Sequence, residues 1–551
     1  GGGLGGVLGG MLQHSKQSEV QIAGMEALKE LTRGNARNVQ RGLRLCMVGA
    51  VTQAMTAGIR NPLLQMSALD LLASLSREGP EPRDALHREG GVRVVLSSTR
   101  CHLSSPPVAL KALTLLCAIA WDHDQRVAIG QEGGVDVVLT MMLTHPRNLQ
   151  IQISGCGCLH ALSWNADNKQ HIAYGIEPQK HPAGFSGGGR ITGAKIVVDA
   201  MRTHWQSKEL QEQGCAVLAI VSYFVDAYKL AIQEAHGIQA VVTAMQRHTG
   251  EEAIQAQACL ALWSLSSMTP PTTSPDLAAD KLKAEQAQNQ RQETLMEAGG
   301  AEALVSVMEA HRTSPDVVER ACRVMVNLSF NAGDRARLLF SSGAIRALCS
   351  VLHEHSNSAQ VCQQAAAALK NLAASLNMST DKKVWLSGLV ECGEALEVAL
   401  RCHPLHAQLQ KQGCSALSNL ALNAKAAEAL TPRVVQTVTA AMLQHASDAA
   451  APDLLNRACI ALHNMATKGG PAERLLSSKI RRQAPQLDPT RGLVLALQSC
   501  PRDPTVSSNA LRALEKMVAL WGSKREVEER SWCARQIRGL KVARSVAAME
   551  A

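Results

Sequence analysis

Apolar positions recur at a fixed spacing down this chain. A small residue is followed by Cys or another apolar residue, then by Leu, Ile, Val or Met four and seven positions on. The pattern reads Gly155-Cys156…Leu159…Leu162, Gly214-Cys215…Leu218…Val221, Ala258-Cys259…Leu262…Leu265, Ala321-Cys322…Met325…Leu328 and Gly413-Cys414…Leu417…Leu420. Looser copies start at Gly24, Ala68, Ala112, Ala365, Ala458 and Ala510. With the small residue numbered 0, positions 0, +4 and +7 lie within about 60° of one another on a helix turning ~100° per residue. Each copy therefore predicts a helix that buries this stripe. Successive copies start 44, 44, 43, 59, 44, 63, 44, 48, 45 and 52 residues apart. Self-similarity at this period predicts an α-solenoid in which each unit packs on its neighbours. The expected fold is all-α: one right-handed array over residues 1–551, of about eleven three-helix units with no strand.

Residues 132–173 show the anatomy of one unit. Glu132-Gly133-Gly134-Val135 opens a helix through Val137, Val138, Leu139 and Met142 that stops near His145-Pro146. A longer helix starts near Leu149 and carries Gly155, Leu159 and Leu162. Asn165-Ala166-Asp167-Asn168 breaks the chain and can cap a short helix over 169–174. These residues resemble the armadillo repeat. Its Glu-x-Gly-Gly-apolar opening reappears at Glu89-Gly90-Gly91-Val92, Glu132-Gly133-Gly134-Val135 and Glu297-Ala298-Gly299-Gly300. Its Asn-Leu-Ala ending reappears at Asn371-Leu372-Ala373 and Asn419-Leu420-Ala421. The resemblance implies a protein-interaction scaffold whose long third helices line a concave groove.

Three irregular stretches fall between units: 175–193, rich in Gly and Pro; 268–292, which begins Met-Thr-Pro-Pro-Thr-Thr-Ser-Pro and turns into an Ala/Gln/Lys-rich helix reaching Met296; and 478–491, with Arg481-Arg482, Pro485 and Pro489. They read as surface loops, and 175–193 and 268–280 are expected to be mobile and protease-sensitive. Regulatory or binding loops are the alternative. The opening Gly5-Gly6-Val7-Leu8 already reads as the middle of a unit, so the expectation is that the N-terminus is truncated.

Opposite the core stripe, positions +2, +6 and +9 form a second stripe. At +9 stand Arg33, Arg77, Trp121, Trp164, Tyr223 and Phe330; at +6, in four consecutive copies, stand Asn327, Asn371, Asn419 and Asn464. An Asn amide offers both donor and acceptor and can clamp the backbone of an extended peptide at each unit. Regularly spaced aromatics offer flat anchors for alternate peptide side chains. These eight residues are the candidate partner-binding groove. The competing readings are helix-end packing for the aromatics and turn-stabilising hydrogen bonds for the Asn row. Armadillo import receptors pair the +6 Asn with Trp at +2. Here +2 holds no Trp, and Arg323 in that row would repel basic cargo.

Composition narrows the picture further. Aromatics make up only 3% of the chain, which suits close-packed helices better than sheets. The net charge of +9 is spread among mixed signs with no long basic block, so no nucleic-acid partner is expected. No apolar run is long enough to span a membrane. Six Cys (156, 215, 259, 322, 414 and 459) share position +1 and read as small core residues in a reducing compartment, the cytoplasm or alternatively the nucleus. His recurs ten residues before position 0 in eight copies: 14, 102, 145, 204, 248, 311, 355 and 403. There it can bond the last carbonyls of the preceding helix, whereas a metal site needs several ligands converging on one point. No metal, cofactor or catalytic residue is assigned. Gly184-Phe185-Ser186-Gly187-Gly188 matches Gly-x-Ser-x-Gly but lacks the strand and helix that a nucleophile elbow requires. The expected function is a non-catalytic scaffold or adaptor that binds a protein or extended peptide. The alternatives are the armadillo segment of a larger enzyme, such as a ubiquitin ligase or kinase, and an import-type receptor.

Overall fold

The computed structural model describes residues 3–177, 189–269, 277–378, 386–423, 426–427, 430–448, 451–467, 488–501 and 503–520. They are helical throughout, in the expected short, medium and long sequence. One unit runs His123–Gln131, Gly134–Thr144, Leu149–Leu162; another runs Arg335–Ser341, Ala344–Glu354, Ala359–Met378. No strand occurs among the described residues, and their one β pairing is an isolated bridge between Ile176 and Ile191. The chain divides into two compact units, Gly1–Thr294 and Leu295–Ala551. Within each, successive long helices pack side by side.

The sequence motifs acquire physical reasons. In the Gly-Gly opening the first glycine takes a left-handed conformation, as at Gly133 with φ 74°. The second lies too close to the short helix to carry a side chain: a Cβ on Gly134 would sit 2.3 Å from Ile129 Cγ2. Position 0 faces the medium helix of its own repeat. A Cβ on Gly155 or Gly214 would meet Met142 or Met201 Cγ at 2.6 Å, and one on Gly413 would meet Leu400 Cδ2 at 2.5 Å. The neighbouring +1 cysteines, Cys156, Cys215, Cys259, Cys322, Cys414 and Cys459, are fully buried, and the described cysteines are all free. Burial pushes the Cys156 thiol up to about 12, so it acts as a small apolar group.

In six of the copies a buried glutamine three residues before position 0 closes the helix pair. Gln152 Nε2 donates to the Met142 and His145 carbonyls, each at 2.9 Å. Gln21, Gln65, Gln211, Gln255 and Gln410 make the same two bonds, ten and seven residues back. The carbonyl ten residues back ends the medium helix without a backbone partner, whereas the one seven residues back also accepts a turn N–H, as His145 does from Asn148. One amide thus satisfies an otherwise orphaned acceptor and ties it to the turn. Cys362 and Ser507 stand at the equivalent position and bond only one carbonyl each, His355 and Cys500.

The histidine row differs from expectation in its partner. His102, His145, His204 and His248 turn Nε2 away from their own helix and donate to the preceding repeat, at the carbonyls of Ile59, Leu103, Pro146 and Trp205, 2.7–2.9 Å away. The ring sits at the helix end, and its reach is one repeat spacing, so the carbonyl it finds belongs to the neighbouring turn. His445, three residues out of register, takes the same role toward Pro404 at 2.7 Å. Nε2 of His355 and of His403 is buried without a partner.

The second irregular stretch has a stem built around two buried cations. Helix Leu277–Glu297 supplies Arg291, which donates to the Leu265 carbonyl at 2.7 Å and pairs with Asp226 at 3.1 Å. Lys229 donates to the Ser267 carbonyl at 2.8 Å and to Thr269 Oγ1 at 2.9 Å. Burial, and then the positive charge of Arg291, lower the Lys229 pKa to about 8 against the opposing pull of Asp226. Residues 178–188, 270–276 and 478–487 of the three stretches lie outside the described residues. The Gly-x-Ser-x-Gly match at 184–188 lies there too.

Two outcomes follow for stability. Replacing Gln211 by Ala should leave the Met201 carbonyl unpaired, the His204 carbonyl keeping its bond from the Ser207 amide, and lower stability by about 1–3 kcal/mol, read as a shift of the urea-unfolding transition. For Lys229, a folded pKa below the usual ~10.4 means the folded chain releases this proton first as pH rises, so stability increases between about 8 and about 10. Wild type should therefore gain relative to Lys229→Gln when urea unfolding is compared at about pH 7.5 and about pH 9.5.

Candidate partner-binding groove

The eight predicted groove residues divide between the two units. Trp121, Trp164 and Tyr223 belong to the first, at the ends of helices Pro106–Ala120, Leu149–Leu162 and Lys208–Val221. All three are exposed, Trp164 to 59%. Trp121 meets His160 of the next repeat edge-on, with ring centroids 5.5 Å apart. The Tyr223 ring meets that of Phe224 at a tilt, with centroids 3.9 Å apart, and approaches Trp263 at 6.0 Å. Sequence reasoning missed Phe224. It is 65% exposed with φ 64°, in a turn slot that Gly34 and Asn331 occupy in other repeats. A bulky residue in this conformation is strained. Its signal was available: an aromatic at +10, where glycine or asparagine suits the turn.

The other five residues belong to the second unit. Phe330, Asn371 and Asn419 line one cavity of about 990 Å³; Asn327 and Asn464 are not among its lining residues. Three of the four Asn have a repeat-to-repeat role. Asn371 Nδ2 donates to the Val326 carbonyl at 3.2 Å, Asn419 to Lys370 at 2.9 Å and Asn464 to Ser418 at 3.0 Å. In every case the +6 amide reaches the +5 carbonyl of the preceding long helix. One of the two amide protons is thus committed to the fold. In Asn371 and Asn419 the rest of the amide stands at the cavity wall.

The cavity also holds charged residues that the sequence reading did not select. Arg337, Lys370, Lys411 and Arg457 line it with a single carboxylate, Asp334. Three of them stand at +5, −2 and −1 of their repeats, angularly beside the +2/+6/+9 stripe, which is wider than three positions. Lys370 donates to Gln412 Oε1 at 3.0 Å, and Lys411 pairs with the exposed Asp453 at 2.6 Å. Burial, and then the charges of Arg457 and Lys411, lower the Lys370 pKa. Among the described residues no group of three side chains is placed to hold a metal ion, and no helix is long and apolar enough to cross a membrane. Glu354, which stands between His353 and His355, is paired with Arg312.

Residues 186–391 match a family model described as the LRRK2 ARM repeat. Two solved structures share the fold. One, from work on a phosphorylation switch that controls the interaction between cadherin and beta-catenin, has a TM-score of 0.67 at 16% identity, covering 97% of this chain and 93% of that one. The other is an engineered protein with a TM-score of 0.60 at 20% identity, covering 85% and 98%. No match was found among curated protein sequences. Residues 186–391 thus match an armadillo-repeat model, and the chain has the all-α solenoid fold of the two solved structures.

Three substitutions separate fold from surface. Asn371→Ala removes a buried inter-repeat bond and should cost about 1 kcal/mol of stability. Trp164→Ala, at an exposed site, should shift stability by no more than about 0.5 kcal/mol. His248→Gln should cost at most about 1 kcal/mol, because one hydrogen bond between repeats is lost. Urea unfolding of the three variants, compared with wild type, checks all of these.

Proposed function

We propose that this protein is a non-catalytic scaffold that binds an extended segment of a partner protein along its long helices. The observation that carries the reading is the cavity of about 990 Å³ walled by Phe330, Asn371 and Asn419. An extended peptide repeats its backbone amides every residue and alternates its side chains. Asn amides at successive repeats match the first property, and an exposed ring beside them offers an apolar anchor for the second. The exposed aromatics of the first unit, Trp121, Trp164 and Tyr223, extend the same chemistry to a second stretch of surface. The beta-catenin likeness supports the fold on which such a surface is built. Free, buried cysteines used as small apolar residues support a reducing compartment, and we place the protein in the cytoplasm.

The test is selection of random dodecapeptides on the full chain, followed by binding measurements on the enriched sequences. Asn419→Ala should weaken binding by about 1–2 kcal/mol, roughly 5- to 30-fold, with its unfolding midpoint reporting separately the loss of the bond to the Lys370 carbonyl. Enriched peptides that bind Asn419→Ala and Phe330→Ala as tightly as wild type would place the binding surface elsewhere.

A further inference from the structure

We propose that the cavity of the second unit selects an acidic segment, one rich in Asp and Glu, whose carboxylates pair with Arg337, Lys370, Lys411 and Arg457. This rests on the reading of the cavity as a peptide groove and adds the class of peptide. The first support is the charge balance of the lining, four cations against Asp334. The second is the way these cations are partnered. Lys370 has a neutral partner, the Gln412 amide oxygen. Lys411 holds Asp453, a carboxylate 70% exposed to solvent, and such a pair contributes little and is readily exchanged. Neither Arg337 nor Arg457 makes an ion pair within 4 Å among the described residues. The third support is crowding. Lys370 loses part of its affinity for a proton to burial and then to the neighbouring charges of Arg457 and Lys411, a cost that an incoming carboxylate would relieve. Position matters as well. Lys370 and Lys411 lie on adjacent long helices, flanking the Asn371 and Asn419 amides that would hold the backbone. A strand sends alternate side chains to one face, so every second residue of the bound segment should be acidic.

Three fluorescein-labelled dodecapeptides that differ only at alternate positions, carrying Glu, Gln or Lys, test this by polarisation with the full chain. The Glu peptide should bind at least about tenfold more tightly than the Gln peptide, the Lys peptide more weakly still, and added salt should weaken the Glu peptide most. Lys370→Gln and Lys411→Gln should each reduce the advantage of Glu over Gln severalfold. Their circular dichroism and unfolding midpoints show whether the fold is kept. Arg337→Gln, on a short helix at the cavity rim, is the second variant should either lysine change disturb packing. Equal binding of the Glu and Gln peptides, both still weakened by Asn419→Ala, would overturn the charge inference and leave the groove reading standing. Failure of all three peptides, together with failure of the dodecapeptide selection, would remove the groove reading itself. A single-stranded oligonucleotide that binds more tightly than the Glu peptide and ignores Asn419→Ala would also overturn the proposal, by showing a general polyanion surface.

Discussion

The array depends on one contact, the approach of the long helix to the medium helix of the same repeat. The two come close enough that position 0 must be small, with Met142 over Gly155 and Met201 over Gly214. Approach at this distance buries the last carbonyls of the medium helix away from water, where an unpaired acceptor is costly. The glutamine at −3 answers that cost with a single amide, and it does so in six repeats with the same two acceptors. Small residue and glutamine are therefore two halves of one device: the first permits the approach and the second makes it tolerable.

Bonds between repeats are of another kind, and they change along the chain. In the first unit histidines carry them, from the turn after the medium helix to the preceding turn. In the second unit asparagines carry them from one long helix to the one before, His445 repeats the histidine bond to a preceding turn, and His355 and His403 leave Nε2 unpaired. The placement matters for recognition. Histidine stitches lie at helix ends and leave the long-helix face to exposed aromatics. Asparagine stitches lie on the long-helix face, beside Lys370 and Lys411, so the groups that hold the second unit together also form its cavity wall.

Much of this was legible in the sequence because helical packing imposes a period. Position 0, the +1 cysteines, the Gly-Gly opening and the Asn165 cap could be placed from spacing alone, and the structure gives each a contact. The Asn165 side chain accepts from the Asn168 amide at 3.0 Å, although the helix it caps begins at Ala166 rather than Lys169. Three features were not legible. The glutamines at −3 repeat as regularly as the cysteines, but a polar residue on an apolar face signals nothing until its acceptors are known. The histidine partners lie one repeat away, a distance that local helix-end reasoning does not reach. The cavity cations occupy different positions in different repeats, so no single row displays them; they converge only when adjacent helices are side by side. The Asn row was seen, but its first bond is to the fold.

That first bond has a consequence for how the second unit would respond to a ligand. A repeat array behaves like a row of coupled elements, each with its own propensity to fold and a coupling to its neighbour. Asn371 and Asn419 are part of that coupling. A segment lying across them would touch two adjacent elements at the very atoms that link them, and would tighten the link. Recognition and cooperativity would then be one property seen from two sides. A partner would change how far an opening at one repeat spreads to the next, and the array would carry news of the bound state along its length without changing shape.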